Sequence, residues 1–76
     1  MDLLEFVSEV FSVDKNKINL DTMPGDFPEW DSLGHLNLLT SLEEKFNISF
    51  DMEETMSIQS INDLKNTLSS KGVDCS

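Results

Sequence analysis

Apolar side chains recur every three or four residues in separate stretches of this sequence, and no segment alternates with period two for long enough to make a sheet. That pattern confines the chain to packed helices. Over residues 2 to about 13, Leu3, Leu4, Val7, Val10 and Phe11 share one side. Asp2, Glu5, Ser8 and Glu9 occupy the other, with acids in the first turn where the helix dipole favours them. Phe6 and Val13 widen the stripe. From Ser32 to about Phe46 the period returns, with Leu33, Leu36, Leu39, Leu42 and Phe46 as one stripe and Leu38 beside it. Asp31 or Ser32 can cap that helix, and Asn47 suits its exit. Residues 51 to 56 read as a short helical turn capped by Asp51, with Glu54 three residues on. A last helix starts at Ser60, with Asp63 completing a capping box, buries Ile61, Leu64 and Leu68, and ends before Gly72. The expected fold is all-α: a four-helix bundle of three main helices and one short one, with Ile48, Phe50, Met52 and Ile58 packing the connections.

Residues 14 to 31 break the helical pattern. Asp14, Asn16, Asn19, Asp21, Pro24-Gly25-Asp26 and Pro28 are turn formers. A connection this long inside a compact domain is usually functional or disordered. Here Ile18, Leu20, Met23, Phe27 and Trp30 punctuate it, so it is expected to be an ordered loop that lays apolar anchors across the helices.

The 76 residues leave room for one domain, 1–76. The single Cys75 offers no disulfide framework, which fits a reducing compartment, and reads as a free thiol in the tail. Fifteen acidic residues against five basic ones give a net charge of −10. Such a chain cannot neutralise phosphates, which excludes nucleic acid as a partner, and it is repelled by an anionic membrane surface. It favours enzymes with basic patches, met through long-range attraction. No stretch reaches the ~18 apolar residues needed to cross a bilayer, and the first residues lack the basic region of a signal peptide. A soluble, cytoplasmic monomer is expected.

Catalysis finds little support. Ser32 and His35 share a helix face, but a serine hydrolase needs an oriented base, an oxyanion hole and a pocket. The string Trp30-Asp31-Ser32-Leu33-Gly34 lacks the first glycine of a nucleophile elbow. His35 alone reads as a surface or partner-facing residue. The segment from Asp14 to Gly25 faintly suggests a calcium loop, but Asn19 stands where the turn glycine belongs and Gly25 where the bidentate glutamate belongs. No metal is expected, and Asp26, Glu29 and Asp31 read as a solvated acidic face.

The junction at Ser32 remains. A serine at a helix N-terminus can be simply a cap. Alternatively it is a modification site, because a phosphodiester there would meet free backbone N–H groups and the positive end of the helix dipole. Leu33 is expected to turn inward and leave Ser32 facing out.

Asp31-Ser32-Leu33, with Leu36, Leu39, Leu42-Glu43-Glu44 and Phe46 after it, resembles the attachment motif and second helix of the acyl carrier protein family. The likeness extends to both ends of the chain in helix lengths, loop placement and acidity. It implies that a phosphopantetheinyl transferase places a 4′-phosphopantetheine arm from coenzyme A on Ser32, with Asp31 helping to dock that enzyme. The arm would carry acyl cargo as a thioester to acyl-loading and acyl-processing enzymes. Leu33, Gly34, Asn37, Thr40 and Glu44 become candidates for partner recognition. Leu39, Leu42, Phe46, Ile58 and Ile61 become candidates to line an acyl cavity, although a plain packed core explains them equally well.

Some positions depart from the family. Fatty-acid carriers commonly show acids along the exposed face of this helix, whereas Gly34 and Asn37 stand here, with Thr40 where an apolar residue is usual. Trp30 is also atypical. The resemblance therefore implies a specialised carrier, for a polyketide, an aminoacyl group or a surface-polysaccharide modification. The competing reading is an unmodified acidic interaction or regulatory module that docks on basic enzymes.

Overall fold

Asp2 opens the first helix by accepting from the Glu5 N–H, and a comparable device opens each later helix. The computed structural model describes residues 2–75. Among them it shows helices α1 (Leu3–Phe11), α2 (Ser32–Phe46), α3 (Met52–Ser57) and α4 (Ile61–Ser70), a 3-10 turn at Lys15–Lys17, and no strand. Asp51 and Glu54 form a reciprocal capping box on α3. At α4 the box is opened by one residue: Ser60 accepts from the Asp63 N–H, but the Asp63 carboxylate reaches the Gln59 N–H. Asn47 ends α2 in the left-handed conformation, φ 53°, and Ser12 does the same for α1.

The core joins Leu3, Val7 and Phe11 of α1, Leu38, Leu39 and Leu42 of α2, and Ile61, Leu64 and Leu68 of α4. Ile18, Trp30 and Ile58 fill it from the connections, and Val73 from the segment after α4. In α1 the periodicity puts Ser8 on the solvent side. The structure buries it, and its hydroxyl donates to the Glu5 carbonyl at 2.7 Å.

The face that α2 buries differs from the leucine stripe. Gly34, Leu38, Leu39 and Leu42 are inside, while Leu33 is 74% exposed and Leu36 53%. A repeat of three falls about 60° short of a full turn at each step, so leucines at 33, 36, 39 and 42 wind from one side of the helix to the other. Leu33 therefore turns outward together with Ser32, not inward beneath it.

The long loop is ordered, but by fewer apolar anchors than its sequence suggests. Ile18 and Trp30 are buried and Phe27 partly so, while Leu20 and Met23 are exposed. Backbone bonds supply the rest. The Leu20 and Thr22 carbonyls accept from the Asn62 and Ile61 N–H groups, two donors that the first turn of α4 cannot satisfy itself. The Gly25 N–H donates to the Trp30 carbonyl at 2.9 Å, with Gly25 at φ 93°, a conformation that glycine adopts freely. Met52, expected to pack a connection, is 78% exposed.

Candidate functional site

Asp31, not Ser32, caps α2. Its carboxylate accepts from the Gly34 N–H at 2.8 Å and its carbonyl from the His35 N–H. Ser32 is the first helical residue and is exposed, so its hydroxyl is spared capping duty. The acceptor that Asp31 would offer a partner is already half engaged in holding the helix start.

The surroundings of Ser32 are set by aromatic packing. Trp30 is fully buried; its indole stacks on Phe11 at 5.6 Å and lies near Phe27, which meets Phe11 edge-on at 5.4 Å. A buried indole N–H needs an acceptor. It finds His35 Nδ1 at 3.0 Å, the two rings lying 18° from parallel. The other ring nitrogen, Nε2, lies 3.0 Å from the Thr55 carbonyl, near the end of α3. That carbonyl is among the last of its helix and has no intrahelical donor. Both bonds form when the ring carries its proton on Nε2. His35 thus links the loop, α2 and α3, rather than facing a partner. It is also unavailable as a base for Ser32, since both its nitrogens are occupied. Leaving the buried indole N–H unsatisfied would cost about 1–3 kcal/mol.

Above Trp30 lies an open groove of about 670 Å³, with Ser32 at its edge. Pro24, Leu36, Met56 and Ile58 give it apolar walls. On the other side of the α2 N-terminus, Leu33 and Asn37 border a smaller recess with Val10. Ser32 therefore stands between an apolar groove and a smaller recess of mixed lining, with Asp31 bordering both.

Gly34 has a different role from a missing surface acid. It is buried, and a Cβ built on it would lie 2.1 Å from the Glu29 carbonyl oxygen and 3.0 Å from the Phe11 ring. Only glycine lets the loop backbone cross α2 this closely. The bare tripeptide around Ser32 could not reveal this, because the neighbour it makes room for belongs to the loop.

No family profile matches the chain. The acyl carrier protein homolog of Mycoplasma genitalium is 34% identical to it over 80 residues, covering 95% of each chain. This chain is an acyl carrier protein by family.

As a carrier-family chain it places the candidate residues unevenly. Asn37, Thr40 and Glu44 are exposed along α2 with Leu33, whereas Gly34 is not on that surface. Of the five cavity candidates, Leu39, Leu42, Ile58 and Ile61 are 0–3% exposed within the core and Phe46 is partly buried; Ile58 alone among them borders the groove beside Ser32. Around α3, Lys71 donates to Glu54 Oε1 at 2.9 Å and lies over the Phe50 ring. That hydrogen bond, with the Asp51 N–H, holds the Glu54 carboxyl below its usual range. Burial pushes the half-buried Cys75 thiol up, away from thiolate reactivity. Among the described residues no three His, Cys, Asp or Glu side chains gather as a metal site requires, and no helix is long and apolar enough to cross a membrane.

Proposed function

We propose that the chain is a single carrier domain, 1–76, that bears a 4′-phosphopantetheine arm on Ser32 and presents acyl intermediates to a series of partner enzymes. The observation that carries this reading is the exposed serine on the first turn of α2, relieved of capping by Asp31 and set at the edge of an apolar groove. The residues fit such a group. A phosphodiester on Ser32 Oγ would meet the positive end of α2, and the groove would offer apolar walls to the rest of the arm and its cargo. When bound, the arm supplies a thiol that holds an acyl group as a thioester.

Ser32 is acted upon rather than acting. Its Oγ forms a bond to phosphorus as the pyrophosphate of coenzyme A breaks and adenosine bisphosphate leaves. A base must take the hydroxyl proton, and with His35 committed to Trp30 and Thr55 that base comes from the phosphopantetheinyl transferase. Asp31 and Leu33 flank the serine on the surface the transferase meets.

The exposed Asn37 and Thr40 support a specialised pathway rather than bulk fatty-acid synthesis, since fatty-acid carriers commonly show acids along this face; Glu44, further along, keeps its charge. Gly34 no longer bears on that choice. Incubation with a broad-specificity transferase and coenzyme A should add one arm, mapped to Ser32 by peptide mass, and none to Ser32→Ala. No mass gain would favour the unmodified regulatory module instead. Adding an acid by Asn37→Glu should raise malonyl loading by a fatty-acid malonyl transferase; strong loading of the unaltered chain, with no gain, would overturn the specialised reading alone.

A further inference from the structure

We infer that the Trp30–His35–Thr55 chain bars the way between α2 and α3, so that short cargo rests in the open groove and a long acyl chain is not drawn into the bundle. The inference rests on Ser32 bearing the arm. His35 spans from α2 to α3, and both its nitrogens are used: Nδ1 accepts from the Trp30 indole at 3.0 Å and Nε2 faces the Thr55 carbonyl at 3.0 Å. The ring cannot swing aside without orphaning a buried indole N–H and a carbonyl at the end of α3. The indole itself is fully buried, pinned between Phe11 and the imidazole. Behind it Leu38, Leu42 and Ile61 are wholly enclosed. Outside it Leu36 and Met56 are more than half exposed and border the groove.

A chain of few carbons gains apolar contact with Leu36 and Met56 and leaves this arrangement alone. A longer one gains further burial only by displacing the imidazole. His35 and Trp30 are in this sense positioning residues that keep the cargo in the groove and outside the core.

The test arms the protein from acetyl- and octanoyl-coenzyme A and tracks hydroxylamine cleavage of each thioester by intact mass. In the unaltered carrier the two rates should agree within about twofold, because neither cargo is enclosed. In His35→Ala the octanoyl thioester should be cleaved about fivefold or more slowly than the acetyl one, as methylenes enter the opened gap. Fivefold protection of octanoyl in the unaltered carrier would overturn the inference, as would its absence in a folded His35→Ala. A second readout needs no variant. The Trp30 indole N–H signal in the nuclear magnetic resonance spectrum should keep its shift and its slow exchange with water in both acyl forms. Its loss on octanoyl loading would again overturn the inference. Failure of Ser32 to take any arm would instead overturn the carrier assignment, and this inference with it.

Discussion

α3 and α4 are neighbours in sequence and are held by opposite means. α4 inserts Ile61, Leu64 and Leu68 into the core, all fully buried, while none of the six residues of α3 is buried. What fixes α3 is polar: its capping box, the Lys71–Glu54 pair and the His35 contact to its Thr55 carbonyl. Burying a large aliphatic side chain is worth roughly 1.5–3 kcal/mol, whereas a hydrogen bond contributes a net of about 0.5–1.5 kcal/mol. α3, the helix beside Ser32, therefore puts none of its own side chains into the core, and its hold on the fold is lighter than that of α4.

The sharpest way to break this contrast is to truncate one apolar side chain from each helix. Leu64→Ala should cost about 2–5 kcal/mol in urea unfolding, while Met56→Ala should stay within about 0.5 kcal/mol. Comparable losses would show that α3 shares the core after all. Next in size is the crossing of loop and helix. Gly34→Ala forces a Cβ against the Glu29 carbonyl and should destabilise by about 1–3 kcal/mol, although alanine is the better helix former. A stabilised Gly34→Ala would mean that the loop yields there as readily as α3 does.

Much of the fold was legible in the sequence. Asp31, Asn47, Asp51 and Ser60 mark helix ends through local chemistry, and each acts as a cap. The face of α2 was not legible, because leucines at both Leu33 and Leu42 look alike until the winding of a three-residue repeat is traced around the helix. His35 was missed for a related reason. Its partners, Trp30 and Thr55, lie five and twenty residues away, and only the folded chain brings both to one ring. The tripeptide marks the serine only as a candidate, and the division of labour between Asp31 as cap and Ser32 as first helical residue needed the backbone.

That division has a smaller measurable effect. Asp31→Ala should cost about 1 kcal/mol through loss of the cap, and Ser32→Ala should remain folded with a smaller loss; circular-dichroism melts of the two would separate them. An equal or larger loss for Ser32→Ala would make the serine structural. The smallest effect concerns α3 again. The Lys71 hydrogen bond, with the Asp51 N–H second to it, lowers the Glu54 carboxyl in the fold, so its contribution is complete above the ordinary carboxylate range and is lost as pH falls through the lowered folded value. The urea midpoint of the unaltered chain should exceed that of Glu54→Gln slightly at neutral pH, and the gap should close in acid. A gap that widens in acid would contradict the pairing.

The long loop has one more consequence. Loops of this length ordinarily absorb inserted residues cheaply, since closure entropy grows only slowly with length. This one has no slack to offer. Its Leu20 and Thr22 carbonyls are tied to the first turn of α4, its Gly25–Trp30 segment is closed on itself, and its Glu29 carbonyl lies against Gly34. It is a strap of fixed length, and one extra residue within it would be felt at the start of α4 or at the serine.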